Sequence, residues 1–315
     1  MNPLSFENRV VIVTGAGGGL GRAYALDIAK RGGAVVVNDL GGSVKGEGAS
    51  TSMADAVVAE IREAGGKAIA NYDSVATMEG ARRIAASAME AYGRIDALIN
   101  NAGNMRFADF EELTEEDLAS LISVHLVGSF NITQAVWPVM KAQGYGRVVF
   151  TSSAAGMFGH KQMAAYGAAK GGVTGLMNVL SVEGKAHGIL CNAVLPNALS
   201  RMTASVGASG TTEPNPYMRS ILPTMQPEFM TGLAVYLASD VCQTTHSIYS
   251  SLGGRAARAF IGLTDGWYGS RETPSTAEDI AANIDTIRDV SAGFHIPESL
   301  PDEYRIVAEH IENNG

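Results

Sequence analysis

Cysteine is nearly missing from this chain: 2 in 315 residues, Cys191 and Cys242, far apart in sequence. So few thiols point to a reduced, cytoplasmic setting. Cys191, inside the strand-like run ILCNAVLP, is expected to be a small buried hydrophobe. Basic residues are also in deficit, 23 Lys and Arg against 32 Asp and Glu, for a net charge of −9. That balance excludes nucleic acid and anionic membranes as partners, so any pull on an anionic ligand must come from local basic residues. No apolar run reads as long enough to span a membrane, and no signal peptide opens the chain. The end, Asn313-Asn314-Gly315, is no peroxisomal address. Internal repeats and low-complexity tracts are lacking, and His160, His187, His246, His295 and His310 show no metal-ligand spacing, so no metal is expected. Glycine is abundant, at 37 residues, and 46% of the chain is hydrophobic, enough for a large core with many tight turns.

Val10 to Thr14 (VVIVT) reads as a buried strand. It runs into Gly15-Ala16-Gly17-Gly18-Gly19-Leu20-Gly21 and then a helical stretch, Arg22 to Arg31. Strand, glycine turn and helix suit a nucleotide pyrophosphate. Glycines permit close backbone approach, and the helix N-terminus offers free N–H groups and partial positive charge. The next strand, Ala34 to Asp39, ends in a carboxylate at the distance of roughly 20 residues that a ribose-binding acid occupies. Asp39 can accept from both hydroxyls of an adenosine ribose and would repel a ribose phosphate. No Arg or Lys stands beside it or within the turn. NAD, in preference to NADP, is the expected cofactor; a loop cap is the plainer role for Asp39.

Further strands are expected at Ala68–Tyr72, Ala97–Asn100, Arg147–Thr151 and Leu190–Leu195, with amphipathic helices between them. This alternation predicts an α/β fold: a doubly wound, Rossmann-like parallel sheet with helices on both faces. Long helices are read over about 113–143 and 166–187. Residues 40–52 form a polar, glycine-rich surface insertion, and 199–228, with four prolines, an irregular loop suited to a substrate lid. The expected domains are a catalytic domain, 1–262, and a C-terminal extension, 263–315, packed on the same domain or a neighbouring subunit. The extension carries Trp267, a cap-like Thr276 and a last helix near Pro301 to Glu312.

Chemistry is concentrated in Ser153, Tyr166 and Lys170. Residues i and i+4 share one helix face, so Lys170 would hold its charge beside the Tyr166 hydroxyl. A neighbouring cation favours phenolate, lowering a pKa that ordinarily sits near ~10. Taken alone, such a pair is usually a half-buried aromatic and a solvated lysine. Ser153 would hold a substrate oxygen; its plainer role is a strand-end cap.

Together, TGAGGGLG at 14–21, Asn100-Asn101-Ala102-Gly103, Ser153, Tyr166 and Lys170 resemble the short-chain dehydrogenase/reductase family, in order and spacing, over about residues 6–250. The strings GRAYALDIAKRGGAVVVNDLGGSVKGEG, KAIANYDSV, SVHLVGSF and LPNALSRMT are similar to its (3R)-hydroxyacyl-CoA dehydrogenase branch. That branch is also described as 17β-hydroxysteroid dehydrogenase. It occurs as a domain of peroxisomal multifunctional enzymes and in bacterial single-domain relatives. The resemblance implies reversible hydride transfer with Tyr166 as acid and base, Lys170 lowering its pKa and binding the nicotinamide ribose, and Ser153 stabilising the substrate oxygen. It places a fourth catalytic residue at His125, where the family commonly has asparagine; water ordering, proton relay or simple packing are its open roles. It also implies cofactor contacts from Asp73, Ser74 and Val75 at the adenine, and from Asn101 and Gly103 beneath the ribose. Ala198, Leu199, Ser200 and Arg201 would meet the nicotinamide amide, with Thr203 adding a hydroxyl. Homodimers or homotetramers follow by the same resemblance.

The implied substrate is a (3R)-3-hydroxyacyl-CoA, oxidised to the 3-ketoacyl-CoA in fatty-acid or sterol side-chain degradation. A 17β-hydroxysteroid is the alternative, and an NAD-binding sensor without turnover the third reading. Met157, Phe158, Met163, Met202, Met218, Met225 and Trp267 would line an apolar site or fill core. Lys161, Arg201, Arg219, Arg255 and Arg258 would meet CoA phosphates or stay solvated.

Overall fold

A computed structural model describes residues 3–43, 48–198 and 218–314. Residues 44–47 of the glycine-rich insertion, and Leu199, Ser200, Arg201, Met202 and Thr203, lie outside the described residues, as does the Met218 side chain. The chain divides into two compact units, Met1–Arg258 and Ala259–Gly315.

In the larger unit, short apolar runs form the expected strands: β1 (Val10–Thr14), β2 (Ala34–Asn38), β3 (Lys67–Asn71), β4 (Ala97–Asn100), β5 (Gly146–Thr151) and β6 (Ile189–Pro196). Two more were not anticipated, β7 (Ser247–Leu252) and β8 (Arg255–Ala259). The sheet order is β3-β2-β1-β4-β5-β6-β7-β8, and β1 through β7 pair in parallel. β8 follows β7 after only Gly253 and Gly254, a link too short for anything but an antiparallel return.

The helices are α1 (Gly19–Lys30), α2 (Ser52–Glu63), α3 (Met78–Tyr92), α4 (Glu115–Ile122), α5 (Gly128–Gln143), α6 (Ala154–Phe158), α7 (Ala164–Lys185), α8 (Met218–Ile221) and α9 (Glu228–Ala238). Side chains alternate across a strand. Val11, Val13, Val35, Val37, Ile99 and Val149 therefore meet Tyr24, Ile28, Val57 and Leu237 on one face. Ile12, Val36, Leu98, Val148 and Phe150 are buried toward α3, α5 and α7 on the other. Both faces are covered, as a parallel sheet requires.

The single helix expected over 113–143 is interrupted: residues Ser123–Val127 form a π-helical turn between α4 and α5. The continuous stretch Glu115–Gln143 is also long and apolar enough to cross a membrane by length and composition, correcting the reading that no such run exists. Its apolar residues have another use here. Leu121, Ile132, Val136 and Met140 are buried within the domain.

The smaller unit holds a two-stranded ribbon, β9 (Leu263–Thr264) with β10 (Phe294–His295), and helices α10 (Ala277–Ala282), α11 (Ile284–Arg288) and α12 (Leu300–Asn314). Thr276 caps α10 through a reciprocal pair with Asp279.

The opposite end of the sheet from the strand C-termini is tied by Asp96, whose side chain is 2% exposed. It accepts from Val10 N at 2.9 Å, Arg9 Nη1 at 3.0 Å and Arg94 Nη2 at 2.7 Å. Burial pushes this carboxyl up, but hydrogen bonds from Arg94, the Val10 N–H and Arg9 outweigh it, so Asp96 titrates below its usual value. A depressed carboxylate stabilises the fold above its unfolded pKa of about 3.9, and that contribution disappears as pH falls through the lower native value. Asp96→Ala should cost about 2–3 kcal/mol at neutral pH in denaturant unfolding and leave a shallower acid limb than the parent's. Equal stabilities at pH 7 would show that the ties contribute nothing.

Candidate active site

Strand order reverses at the β1–β4 junction: from β1 the sheet runs through β2 to β3 on one side and from β4 through β5 on the other. In such sheets a crevice opens beyond the strand C-termini at this point. A cleft is found there, lined by Gly15, Gly18, Gly19, Leu20, Asp39, Asp73, Ser74, Val75, Asn101 and Gly103, among others. These include nine of the residues singled out from sequence. Gly17 and Gly21 do not line it but shape it. Gly17 N–H donates to Asp39 Oδ2 at 2.8 Å. A Cβ on Gly21 would stand 2.2 Å from Gly15 O and 2.6 Å from Asn101 Nδ2, so only glycine lets α1 close onto the turn. Ala198 is buried just past β6.

The residues fit a dinucleotide. The N-cap of α1 is Gly18, with no side-chain cap, so the first N–H groups of the helix are left for a ligand anion. Asp39 is held by Gly17 N and by Gly41 N, which donates to Oδ1 at 2.7 Å. Each carboxylate oxygen keeps a lone pair for a hydroxyl. Among cleft residues not foreseen, Asn38 binds Asn71 Oδ1 and Asp73 O, both at 2.9 Å, clamping the ends of β2 and β3. Asn104 was also missed, though it directly follows the Asn100-Asn101-Ala102-Gly103 run.

Ser153, Tyr166, Lys170 and His125 come together. Tyr166 and Lys170 lie on the buried face of α7, and Tyr166 packs with Leu121, Ala165 and Ala169, flanked by Met105, Leu113 and Met163. Ser153 caps α6, accepting from Ala155 N at 3.1 Å, and also hydrogen-bonds the Tyr166 hydroxyl. The plainer role, a cap, is present, and the same hydroxyl is directed at Tyr166.

The expected electrostatics need correction. Burial pushes the Tyr166 phenol up to about 12, with the Ser153 hydrogen bond opposing. Burial also pulls the Lys170 ammonium down to about 7. Lys170 Nζ donates to Thr151 O at 2.5 Å and stands 5.7 Å from the Tyr166 ring centroid. Shared helix face brings the two groups near, but desolvation governs both titrations. At neutral pH the phenol is protonated, and the lysine gives up its proton far more readily than an exposed one would.

His125 sits on the π-helical turn, 2% exposed, edge-on to the Tyr166 ring with centroids 5.3 Å apart. Its Nε2 lies 2.8 Å from Asn104 O and 3.3 Å from Asn104 N, while Nδ1 is buried without a protein partner. Burial, then the Lys170 charge, hold it well below the usual histidine range, so it is neutral. Gly103 makes room for it: a Cβ there would fall 2.4 Å from His125 Cε1.

Of the residues considered for substrate, Phe158 is 70% exposed and Met163 joins the Tyr166 cluster, whereas Met225 is buried core. Lys161, Arg219, Arg255 and Arg258 are exposed. Cys191 is fully buried, and burial pushes its thiol up. Among the described residues no group of three acidic, histidine or cysteine side chains could hold a metal ion.

The depressed lysine has a measurable signature. Between about pH 7 and 10.5 the unfolded chain binds a proton at Lys170 that the native protein does not. Stability therefore rises with pH across that window, by about 1.4 kcal/mol per pH unit at most. Unfolding curves of the parent, compared with Lys170→Met, should diverge in that sense from pH 7 to 10; parallel curves would place the ammonium in water.

Residues 9–211 match the family model described as short chain dehydrogenase. The chain is 41% identical over 294 residues to a putative short-chain type dehydrogenase/reductase of Mycobacterium tuberculosis, covering 92% of this chain and 99% of that one. It is 43% identical over 291 residues to the mouse peroxisomal multifunctional enzyme type 2, covering 92% of this chain but only 38% of the mouse protein. Among solved structures, the full-length Drosophila melanogaster peroxisomal multifunctional enzyme type 2 superposes with a TM-score of 0.79 at 32% identity, covering 98% of this chain and 50% of that one. The chain thus spans about a third to a half of the multifunctional proteins it matches, and the whole of the mycobacterial one. It belongs to the short-chain dehydrogenase family, an oxidoreductase built to use a nicotinamide dinucleotide.

Proposed function

We propose that the protein is an NAD-dependent dehydrogenase interconverting a (3R)-3-hydroxyacyl-CoA and its 3-ketoacyl-CoA. The observation that carries this reading is a buried phenol, Tyr166, hydrogen-bonded by Ser153 and edge-on to His125, which abuts Gly103 of the cleft at the sheet's reversal point. Support for the acyl-CoA class comes from similarity to the multifunctional enzymes over nearly the full length of this chain. Asp39 supports NAD: its carboxylate, anchored on the glycine turn, would repel a 2′-phosphate.

The bound dinucleotide supplies the hydride acceptor or donor and, when oxidised, a positive charge. Tyr166 is protonated at neutral pH and can give its proton to a ketone oxygen as that oxygen gains charge. In the oxidative direction it must first lose the proton, which the Ser153 hydrogen bond favours and burial opposes. Ser153 donates toward the same oxygen and stabilises it. Lys170, titrating near 7, and neutral His125, with its free Nδ1, can pass a proton on from Tyr166. Oxidation should therefore rise with pH above neutrality, and reduction fall.

Turnover of (3R)-3-hydroxydecanoyl-CoA and of estradiol with NAD tests the assignment. The acyl-CoA should show the higher kcat/KM, NADP should replace NAD poorly, and Tyr166→Phe should lower kcat by about 10²–10⁴ while NAD binding persists. A higher kcat/KM for estradiol would favour the 17β-hydroxysteroid reading. Normal NAD binding with no alcohol oxidised would favour a sensor.

We further propose a homodimer or homotetramer through α5 and α7. Val127 at the end of the π-helical turn, Phe130 on α5, and Val179 and Val182 on α7 are large apolar side chains left exposed, and a Cβ on Gly175 would meet nothing within 4 Å. Sedimentation at micromolar concentration should give an oligomer that Val179→Asp dissociates; a monomeric parent would end this proposal.

A further inference from the structure

Two loops converge on the Tyr166 cluster. Residues 101–109 leave β4, and residues 159–163 lead into α7, four positions ahead of Tyr166. Each sends one methionine, Met105 and Met163, against that cluster. They are clasped by two hydrogen bonds: Ala108 N–H donates to Gln162 O at 3.2 Å, and Gln162 Nε2 donates to Asp109 Oδ1 at 3.1 Å.

Gln162 holds a φ of +62°, in the left-handed region. Glycine would occupy it freely, and a side chain there is strained. The helix α7 starts two residues later at Ala164, so the turn itself could be made by glycine, as it is at nearby Gly159 with φ +81°. A glutamine standing in that strained conformation, its amide bonded to a carboxylate, points to a use for the side chain. The amide's direction is fixed chemically: its NH₂ end faces a carboxylate, and the flipped form would oppose two oxygens.

We propose that Gln162 and Asp109 are positioning residues that clasp the Met105 and Met163 loops into one apolar wall beside the reacting oxygen of Tyr166. Neither residue lines the dinucleotide cleft. The clasp therefore governs how well the alcohol is seated, and leaves proton transfer and cofactor affinity alone. The inference rests on Tyr166 being the acid and base.

The test is steady-state kinetics on the intact protein, with (3R)-3-hydroxydecanoyl-CoA, or with estradiol should the parent oxidise only that, at saturating NAD. Gln162→Gly relieves the backbone and removes the side chain. It should raise KM roughly three- to tenfold, the worth of one hydrogen bond, with kcat and the NAD Kd within about twofold. Asp109→Ala, on an exposed residue, should do the same, whereas Asp109→Asn keeps an acceptor and should behave like the parent. Gln162→Glu sets two carboxylates together and should raise KM. Combined with Asp109→Asn, which restores a hydrogen bond of reversed polarity, it should recover. Hydrogen exchange over residues 104–110 should quicken in Gln162→Gly. Parent-like KM in Gln162→Gly overturns the proposal, as does a common fall in kcat and NAD affinity, or a double variant no better than Gln162→Glu alone. Full turnover by Tyr166→Phe would instead remove the catalytic assignment, independently of the clasp.

Discussion

Exclusion of water from one side of α7 imposes opposite penalties on two neighbouring groups. Tyr166 and Lys170 are 8% and 4% exposed. The phenol is kept in its proton-bearing form, and the ammonium is pressed toward neutrality. The phenol is uncharged at neutral pH and the ammonium holds its proton only weakly, so a small change in nearby charge can shift the proton balance of the pair. The apolar neighbours Leu121, Ala165 and Ala169 are thus part of the chemistry: they set the dielectric in which the hydroxyl of Ser153 and the ring of His125 act.

Everything else about the larger unit serves to deliver ligands to that point. The reversal of strand order opens a crevice, the unblocked N-terminus of α1 faces it, and Asp39 is pinned at its rim by the backbone of the turn it serves. Asn101 binds the carbonyls of Thr14 and Gly15 at 3.0 and 3.1 Å, locking the end of β4 to the end of β1. The same contacts that close the fold therefore fix the cleft's floor.

Local patterns in the chain announced much of this. Val10–Thr14 is an unbroken β-branched run and Ala34–Asn38 has a Val-Val-Val centre, short apolar runs that fit strands covered on both sides. β7 escaped notice because SIYSSL mixes serines with apolar residues and lacks a clean period. The pairing of Ser153 with Tyr166 was legible only through the family resemblance. The direction of the Tyr166 and Lys170 shifts was not: sequence shows that a cation is four residues away, but the burial comes from tertiary packing of α6 and of the distant α4 on α7. The Gln162–Asp109 contact, 53 residues apart, had no local signal at all.

The wide turn at Ser123–Val127 has a consequence of phase. A π turn is one residue inserted into an α-helix, and each α-helical residue turns the helix by about 100°. α4 and α5 are therefore out of register with the single periodicity that a straight helix would impose. Deleting one residue here would straighten the rod and rotate Leu121 away from Ala165, or Ile132 away from the sheet, since both could no longer face inward together. The extra residue lets one continuous helix serve two differently oriented walls, and His125 occupies the hinge between them.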